Sequence, residues 1–253
     1  MALDIIRPDS GAVNVLGASS VRDALARVGY LPEERGLYQR SRVMEILTYL
    51  GRLKRMESVN AAKQGEALLK RVGLYEQRAM KVQAMSRGMS QLVQFAGALM
   101  HGPDLIILDE PFSGLDPLNV QLMKEIIREQ QARGAATIFS THQMTDVEEL
   151  CERVLLINEG QTLLYGRLDE LKRSRGTHSV RIDAKRAPNT APGATQDNGA
   201  DGHYEYALAQ GVAPETVFSA FVEAGIQVER YEVALPSLND IFIEEVSRAR
   251  GAR

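Results

Sequence analysis

The chain has 253 residues, 44% hydrophobic and 25% charged, with a formal net charge of −3. That length accommodates one sizeable domain and a small one, and the near-balanced charge excludes the strongly basic surface of a polyanion-binding protein. No apolar run could span a bilayer, Met1 to Pro8 has none of the features of a secretory signal, and a lone cysteine, Cys151, excludes internal disulfides and suits a reducing compartment.

Met1 to Ile6 reads as the last turn or two of a helix, because Arg7-Pro8-Asp9-Ser10-Gly11 is a helix stop followed by a turn. Ala12 to Leu16 is expected as a short strand, Val21 to Arg27 as a helix, and Val28 to Pro32 as a strand entering the loop Glu33-Glu34-Arg35-Gly36-Leu37-Tyr38. Helical spacing of Ile46, Leu47, Leu50 and Leu53 marks a helix over 43–55, and Ala61, Leu68, Leu69 and Val72 mark another over 60–72, closed by Gly73. Met85-Ser86-Arg87-Gly88-Met89 then opens a helix with Leu92, Val93, Ala96, Leu99 and Met100 on its apolar face. A serine and a glycine at a helix start offer a hydroxyl, free N–H groups and the positive dipole end to an anion. Taken alone, the segment reads first as an ordinary serine N-cap on an amphipathic helix.

Leu105-Ile106-Ile107-Leu108 is four consecutive apolar residues, too short for a helix, and reads as a strand buried on both faces of a parallel sheet. Two carboxylates, Asp109 and Glu110, stand at its end, where open α/β sheets place their ligands. Such a pair suits nucleotide hydrolysis: one carboxylate holds Mg²⁺ and its neighbour orients a water. Pro117 to Ala132 is a helix, and Ala135 to Ser140 a strand finishing at Thr141-His142-Gln143. A histidine after a strand is commonly structural. If these sequential strands are neighbours, however, His142 reaches the same ligand-facing edge as Asp109 and Glu110.

Val154–Ile157 and Thr162–Tyr165 form a hairpin across Asn158-Glu159-Gly160, and Cys151, following Val147 and Leu150, is a packed thiol. Composition shifts near Leu171. Beyond it are strands at 180–182, 204–208 and 226–233, a helix at 214–224, and a final helix announced by Ser237-Leu238-Asn239-Asp240. Residues 187–203, rich in Pro, Gly, Ala, Asn, Asp and Thr, are expected to be a flexible insert. The basic tail Arg248, Arg250 and Arg253 is a solvated helix end.

In their order and spacing, Ser86-Arg87-Gly88, the Leu105–Pro111 strand, Ser113-Gly114-Leu115-Asp116 and His142 resemble the nucleotide-binding subunits of ABC transporters: signature motif, Walker B strand, D-loop and switch histidine. The resemblance covers nearly all of residues 1–170. Glu33 stands where most members carry the Gln of the Q-loop, and Arg87 and Met89 depart from the commonest signature. The Pro-Glu-Glu-Arg-Gly-Leu-Tyr loop and the Pro-Ser-Leu-Asn-Asp-Ile-Phe run are most similar to the subgroup paired with ABC-2 permeases, including sodium- and drug-export ATPases. The fold implied is an α/β, P-loop NTPase-like domain over 1–171, with a helical subdomain at about 40–100 and a small α+β domain over 172–253.

The resemblance also implies roles and partners. Asp109 and Glu33 would serve Mg²⁺, Glu110 would activate water, and His142 would contact the γ-phosphate of ATP. Ser86, Arg87 and Gly88 would bind the γ-phosphate of ATP held by a second ABC ATPase subunit, with Asp116 coupling the two sites. A membrane permease would be the other partner, with no nucleic acid involved, and the subunit would sit in the cytoplasm at the inner face of the cell membrane.

No Gly-x-x-x-x-Gly-Lys-Ser/Thr occurs, so the phosphate-cradling Walker A loop is absent from these residues. The pattern that resumes after Met1–Ile6 suggests truncation before the end of the helix that follows that loop. The absent strand is expected to lie beside the Asp109-Glu110 strand, leaving backbone groups there unpaired. Three functions compete: an ATP-hydrolysing transporter subunit that is inactive as written, a non-catalytic half-site partner offering Ser86 and Gly88 to an intact subunit, and a soluble ABC-type ATPase of translation or repair. A single nucleotide domain and an export-type appendage count against the third.

Overall fold

The computed structural model describes residues 2–18, 20–34, 36–175, 179–188, 190–200, 202–209 and 211–251. Two compact units divide the chain, Met1–His142 and Gln143–Arg253.

In the first unit, residues 2–6 form turns and bends rather than the end of a helix, with Asp4 in the left-handed region at φ +57°. Met1 lies outside the described residues. So short a piece closes too few intrahelical hydrogen bonds to offset helix nucleation. The strand expected at 12–16 is also absent: Leu16 turns the chain at φ +54°, and the Asn14 carboxamide oxygen accepts the Gly17 N–H at 3.0 Å. Val15 instead tucks its side chain beside Ala24, Val28 and Leu105. Helix α1 (Val21–Ala24) is capped by Ser20 and tightens into a 3₁₀ turn, Leu25–Arg27, before β1 (Val28–Leu31).

Helices α2 (Val43–Leu53), α3 (Ser58–Arg71) and α4 (Arg87–Leu99) follow. The spacing of Leu92, Val93, Ala96 and Leu99 suggests one apolar face, yet every residue from Ser90 to Leu99 is buried. The cause is position, since α4 packs on β1 to one side and on α2 and α3 to the other. Two glycines permit the approach. A Cβ at Gly29 would come 2.3 Å from the Ala98 carbonyl oxygen, and one at Gly97 would come 2.7 Å from Leu50 Cδ1. Two buried glutamines of α4 donate to backbone carbonyls: Gln91 Nε2 to Pro111 at 3.1 Å and Gln94 Nε2 to Glu34 at 3.3 Å.

Strand β2 (Leu105–Asp109), helix α5 (Pro117–Ala132) and strand β3 (Ala136–Ser140) complete the unit. The sheet is parallel in the order β1-β2-β3, with Val28 opposite Leu105, Leu31 opposite Leu108, and Asp109 opposite Ser140. This corrects the expectation of an unpaired Asp109-Glu110 strand. β2 is bonded on both sides, because the strand after it in the chain is also its neighbour in space. The sheet's edges are β1 and β3, and on β3 Ile138 is 59% exposed, an unusual fate for a β-branched apolar residue in a strand. Ile106 and Leu108 are fully buried, each worth about 1.5–3 kcal/mol of apolar burial.

The second unit begins with α6 (Met144–Leu150) and the hairpin β4 (Arg153–Asn158) and β5 (Gln161–Arg167), turned by Glu159 and Gly160 at φ +49° and +74°. After α7 (Leu168–Ser174) come β6 (Ser179–Ala184), β7 (Ala194–Ala200), β8 (His203–Leu208), α8 (Glu215–Glu223), β9 (Val228–Ala234) and α9 (Leu238–Gly251). The four strands form an antiparallel sheet in the order β7-β8-β6-β9. Strand β7 occupies part of the segment expected as a flexible insert. Its residues have low strand propensity, and pairing with β8 overrides that.

Val180, Ile182, Tyr206, Val217, Phe221 and Ile226 make this unit's main core. Ser237 and Asp240 cap α9 reciprocally, as their spacing predicts: Asp240 Oδ2 accepts the Ser237 N–H at 3.1 Å, and Ser237 Oγ accepts the Asp240 N–H at 3.1 Å. Burial pushes the Cys151 thiol up to about 11, as befits a packed group. In the expected basic tail, Arg248 pairs with Glu244 at 2.6 Å and with Glu245 at 3.0 Å, while Arg253 lies outside the described residues.

Candidate functional site

The carboxyl ends of the parallel strands bring three of the sequence-derived residues together. Asp109 ends β2, and Glu110 turns the chain away at φ +43°, a left-handed conformation that costs a non-glycine residue on the order of 1–3 kcal/mol. Its N–H is held by the Ser140 carbonyl at 3.1 Å and the Ser140 hydroxyl at 3.3 Å. The side chain is held as well: Glu110 Oε1 accepts the His142 N–H at 3.1 Å and lies 2.9 Å from His142 Nδ1. Ser140 Oγ donates to Asp109 Oδ1 in a short hydrogen bond. Tyr30, in β1 opposite Ile107, is raised above the ordinary tyrosine range by burial and then by the nearby Asp109 charge.

Glu33 is exposed in the loop that leaves β1 at the same end of the sheet, and Arg35 in that loop lies outside the described residues. Among the described residues no hydrogen bond or ion pair joins Glu33 to Asp109 or Glu110, and no cluster of three or more potential metal-ligating side chains forms a cage. A lone carboxylate end with a backing hydroxyl nonetheless fits Mg²⁺, which is commonly held through one or two carboxylates plus substrate phosphates rather than by an all-protein cage.

Ser86, Arg87 and Gly88 occupy the first turn of α4. Ser86 Oγ accepts the Met89 N–H at 3.2 Å, so its N-cap role is real and uses one lone pair. This turn adjoins the loop after β2, since a Cβ at Gly88 would come 3.4 Å from Leu115 Cδ2. Asp116 caps α5: its Oδ1 accepts the Leu118 and Asn119 N–H groups, each at 3.1 Å, and Oδ2 accepts from the Asn119 side chain. The Asn119 bonds hold the Asp116 carboxyl below the usual range. Ser140 and Gln91 were not singled out from the sequence. Ser140's signal was its place two residues before His142, at the strand terminus that registers with Asp109.

A family profile described as "ABC transporter" matches residues 1–113, and one described as "ATP-binding protein DrrA1-3-like, C-terminal domain" matches residues 166–246. The chain is 38% identical to the uncharacterized ABC transporter ATP-binding protein YhaQ of Bacillus subtilis, over 97% of this chain and 83% of that protein. It is 35% identical to a counterpart in Alkalihalophilus pseudofirmus over 98% of this chain and 94% of that one. It is also 34% identical to the ABC transporter ATP-binding protein NatA of Bacillus subtilis, over 71% of this chain and 75% of that one. Among solved structures, an ATP-binding subunit of an ABC transporter superposes with a TM-score of 0.64 at 28% identity, covering 69% of this chain and 74% of that one.

Proposed function

The chain belongs to the ATP-binding proteins of ABC transporters, and from that premise we propose that its 253 residues supply the metal- and water-handling edge of an ATP site coupled to an export permease. ATP-binding subunits of this family work with membrane permease subunits. What carries the reading is the clasp on Glu110, whose Oε1 receives the His142 N–H and faces the His142 ring at 2.9 Å. A general base must be fixed within reach of its water, and this carboxylate is fixed from both ends.

In the proposed mechanism Asp109 would hold Mg²⁺, and the ion would supply positive charge against that which develops during phosphoryl transfer. Glu110 takes the proton of the attacking water on Oε2, because Oε1 is already engaged. His142 orients Glu110 and contacts the γ-phosphate. Ser86, Arg87 and Gly88, at the positive end of α4, receive the γ-phosphate of ATP held by a second subunit, and Asp116 couples the two sites. Glu33 would reach Mg²⁺ or its water and sense the permease. The subunit works at the inner face of the cell membrane through that permease. Among the described residues no helix is long and apolar enough to cross the membrane itself.

No Gly-x-x-x-x-Gly-Lys-Ser/Thr is present to cradle the phosphates, so these residues alone bind ATP weakly and do not turn it over. Titration of the purified chain with a fluorescent ATP analogue checks this. The expected result is no saturation through the micromolar range; saturable micromolar binding would overturn it.

A further inference from the structure

The geometry points to Ser140 as a positioning residue: one hydroxyl that fixes both the Asp109 carboxylate and the backbone of Glu110. The inference rests on the proposed roles of that pair and goes beyond them, because Ser140 touches neither nucleotide nor water in that reading.

Three observations converge on it. Ser140 lies directly opposite Asp109 in the β2–β3 register, so its side chain needs no detour to reach the carboxylate. Its only hydroxyl proton is committed to Asp109 Oδ1. The lone pairs remain, and the Glu110 N–H meets them at 3.3 Å while also donating to the Ser140 carbonyl at 3.1 Å. That shared donor sits on a residue at φ +43°, where holding the N–H offsets backbone strain.

Two consequences follow. With Oδ1 occupied, Asp109 presents Oδ2 in a defined direction to a cation or its water shell, which is how partners behind a ligand tune metal affinity. Glu110, in turn, cannot relax its backbone without losing a bond to the residue that aligns Asp109. Metal carboxylate and base are thereby set by the same group, at the end of the strand that leads to His142.

The test uses the full 253-residue chain, ¹⁵N-labelled, with Mn²⁺ alone as the probe and paramagnetic broadening of the Asp109, Glu110 and His142 amide signals as the readout. Wild type should show localised, saturable broadening, and Asp109→Asn should abolish it. Ser140→Ala should raise the Mn²⁺ midpoint about tenfold, the lower end of what loss of such a partner costs. Ser140→Thr, which keeps the hydroxyl, should restore the wild-type midpoint, whereas the isosteric Ser140→Val should behave like alanine. The Thr and Val pair keeps the test informative if the alanine variant folds poorly. Equal midpoints for Thr and Val, with Asp109→Asn still abolishing the broadening, would overturn the Ser140 inference and leave the Asp109 reading standing. Broadening that survives Asp109→Asn would overturn the metal reading, and the Ser140 inference with it.

Discussion

In the parallel sheet of the first unit the acidic groups gather at one end, with Asp109 and Glu110 leaving β2 side by side, whereas in the antiparallel sheet of the second unit acids and bases alternate across the strands. Arg181 lies opposite Glu205 and Glu232 in the strand register, and Asp183 opposite His203 and Arg230. Arg181 pairs with Glu205 at 3.2 Å and His203 with Asp183 at 2.7 Å. Such a face is its own counter-ion. Its pairs are solvated and worth little individually, and it asks for nothing further. Adjacent like charges at a strand end are different. They repel, and a fold keeps them there when a ligand of opposite charge or a reacting water is to meet them.

The largest expected effect tests whether the second sheet is scaffold. Phe221 is fully buried and packs against Tyr206 at 5.8 Å between ring centroids and against Tyr204 at 6.2 Å. Phe221→Ala should cost about 3–5 kcal/mol of that unit's stability. Hydrogen exchange should accelerate across residues 179–234 while the Asp109–Glu110 amides keep their protection. Loss of protection in both places would show that the carboxylate edge depends on the second unit.

A smaller effect separates the two units by their response to acid. His101 Nε2 lies 3.2 Å from the Val28 carbonyl at the start of β1, the opposite end of the sheet from the carboxylates. Burial lowers its pKa from 6.5 to about 4, assisted by the nearby Lys54 charge and opposed by the Val28 bond. Its folded pKa lies below its unfolded one, so the unfolded chain binds the extra proton first. The stability linked to neutral His101 is therefore complete above about pH 6.5 and is lost as pH falls toward about 4. Denaturant midpoints of the first unit should fall through that window, and His101→Gln should flatten the fall. An unchanged slope in that variant would assign the acid sensitivity to other groups.

The carboxylate end of β2 was legible in the sequence, for identifiable reasons, and the charge pairing of the second sheet was not. The run Leu105–Leu108, too short for a helix, reads as a buried strand, and Pro117 with Gly134 bounds α5 at Pro117–Ala132, so the sequence itself puts the carboxylates at a strand end. What escaped was decided by residues distant in the chain. Strand β7 is made by pairing with β8, not by its own composition. The all-round burial of α4 reflects helices and a strand on both its sides. Ser140 looks like any strand-ending serine until its register with Asp109 is known. The strand expected at 12–16 does not form for the converse reason: a local turn at Asn14 and Leu16 prevails where no neighbouring strand pairs with it.

In the proposed function the Asp109-Glu110 end of β2 is the hydrolytic edge. Its most direct test is ATP turnover by Glu110→Gln, in a fusion that supplies a strand and a Gly-x-x-x-x-Gly-Lys-Ser loop ahead of this chain. The parent fusion should hydrolyse ATP, while Glu110→Gln should retain ATP binding and lose turnover by about 10²–10⁴-fold, the usual contribution of a positioned general base. Undiminished hydrolysis by Glu110→Gln would contradict it.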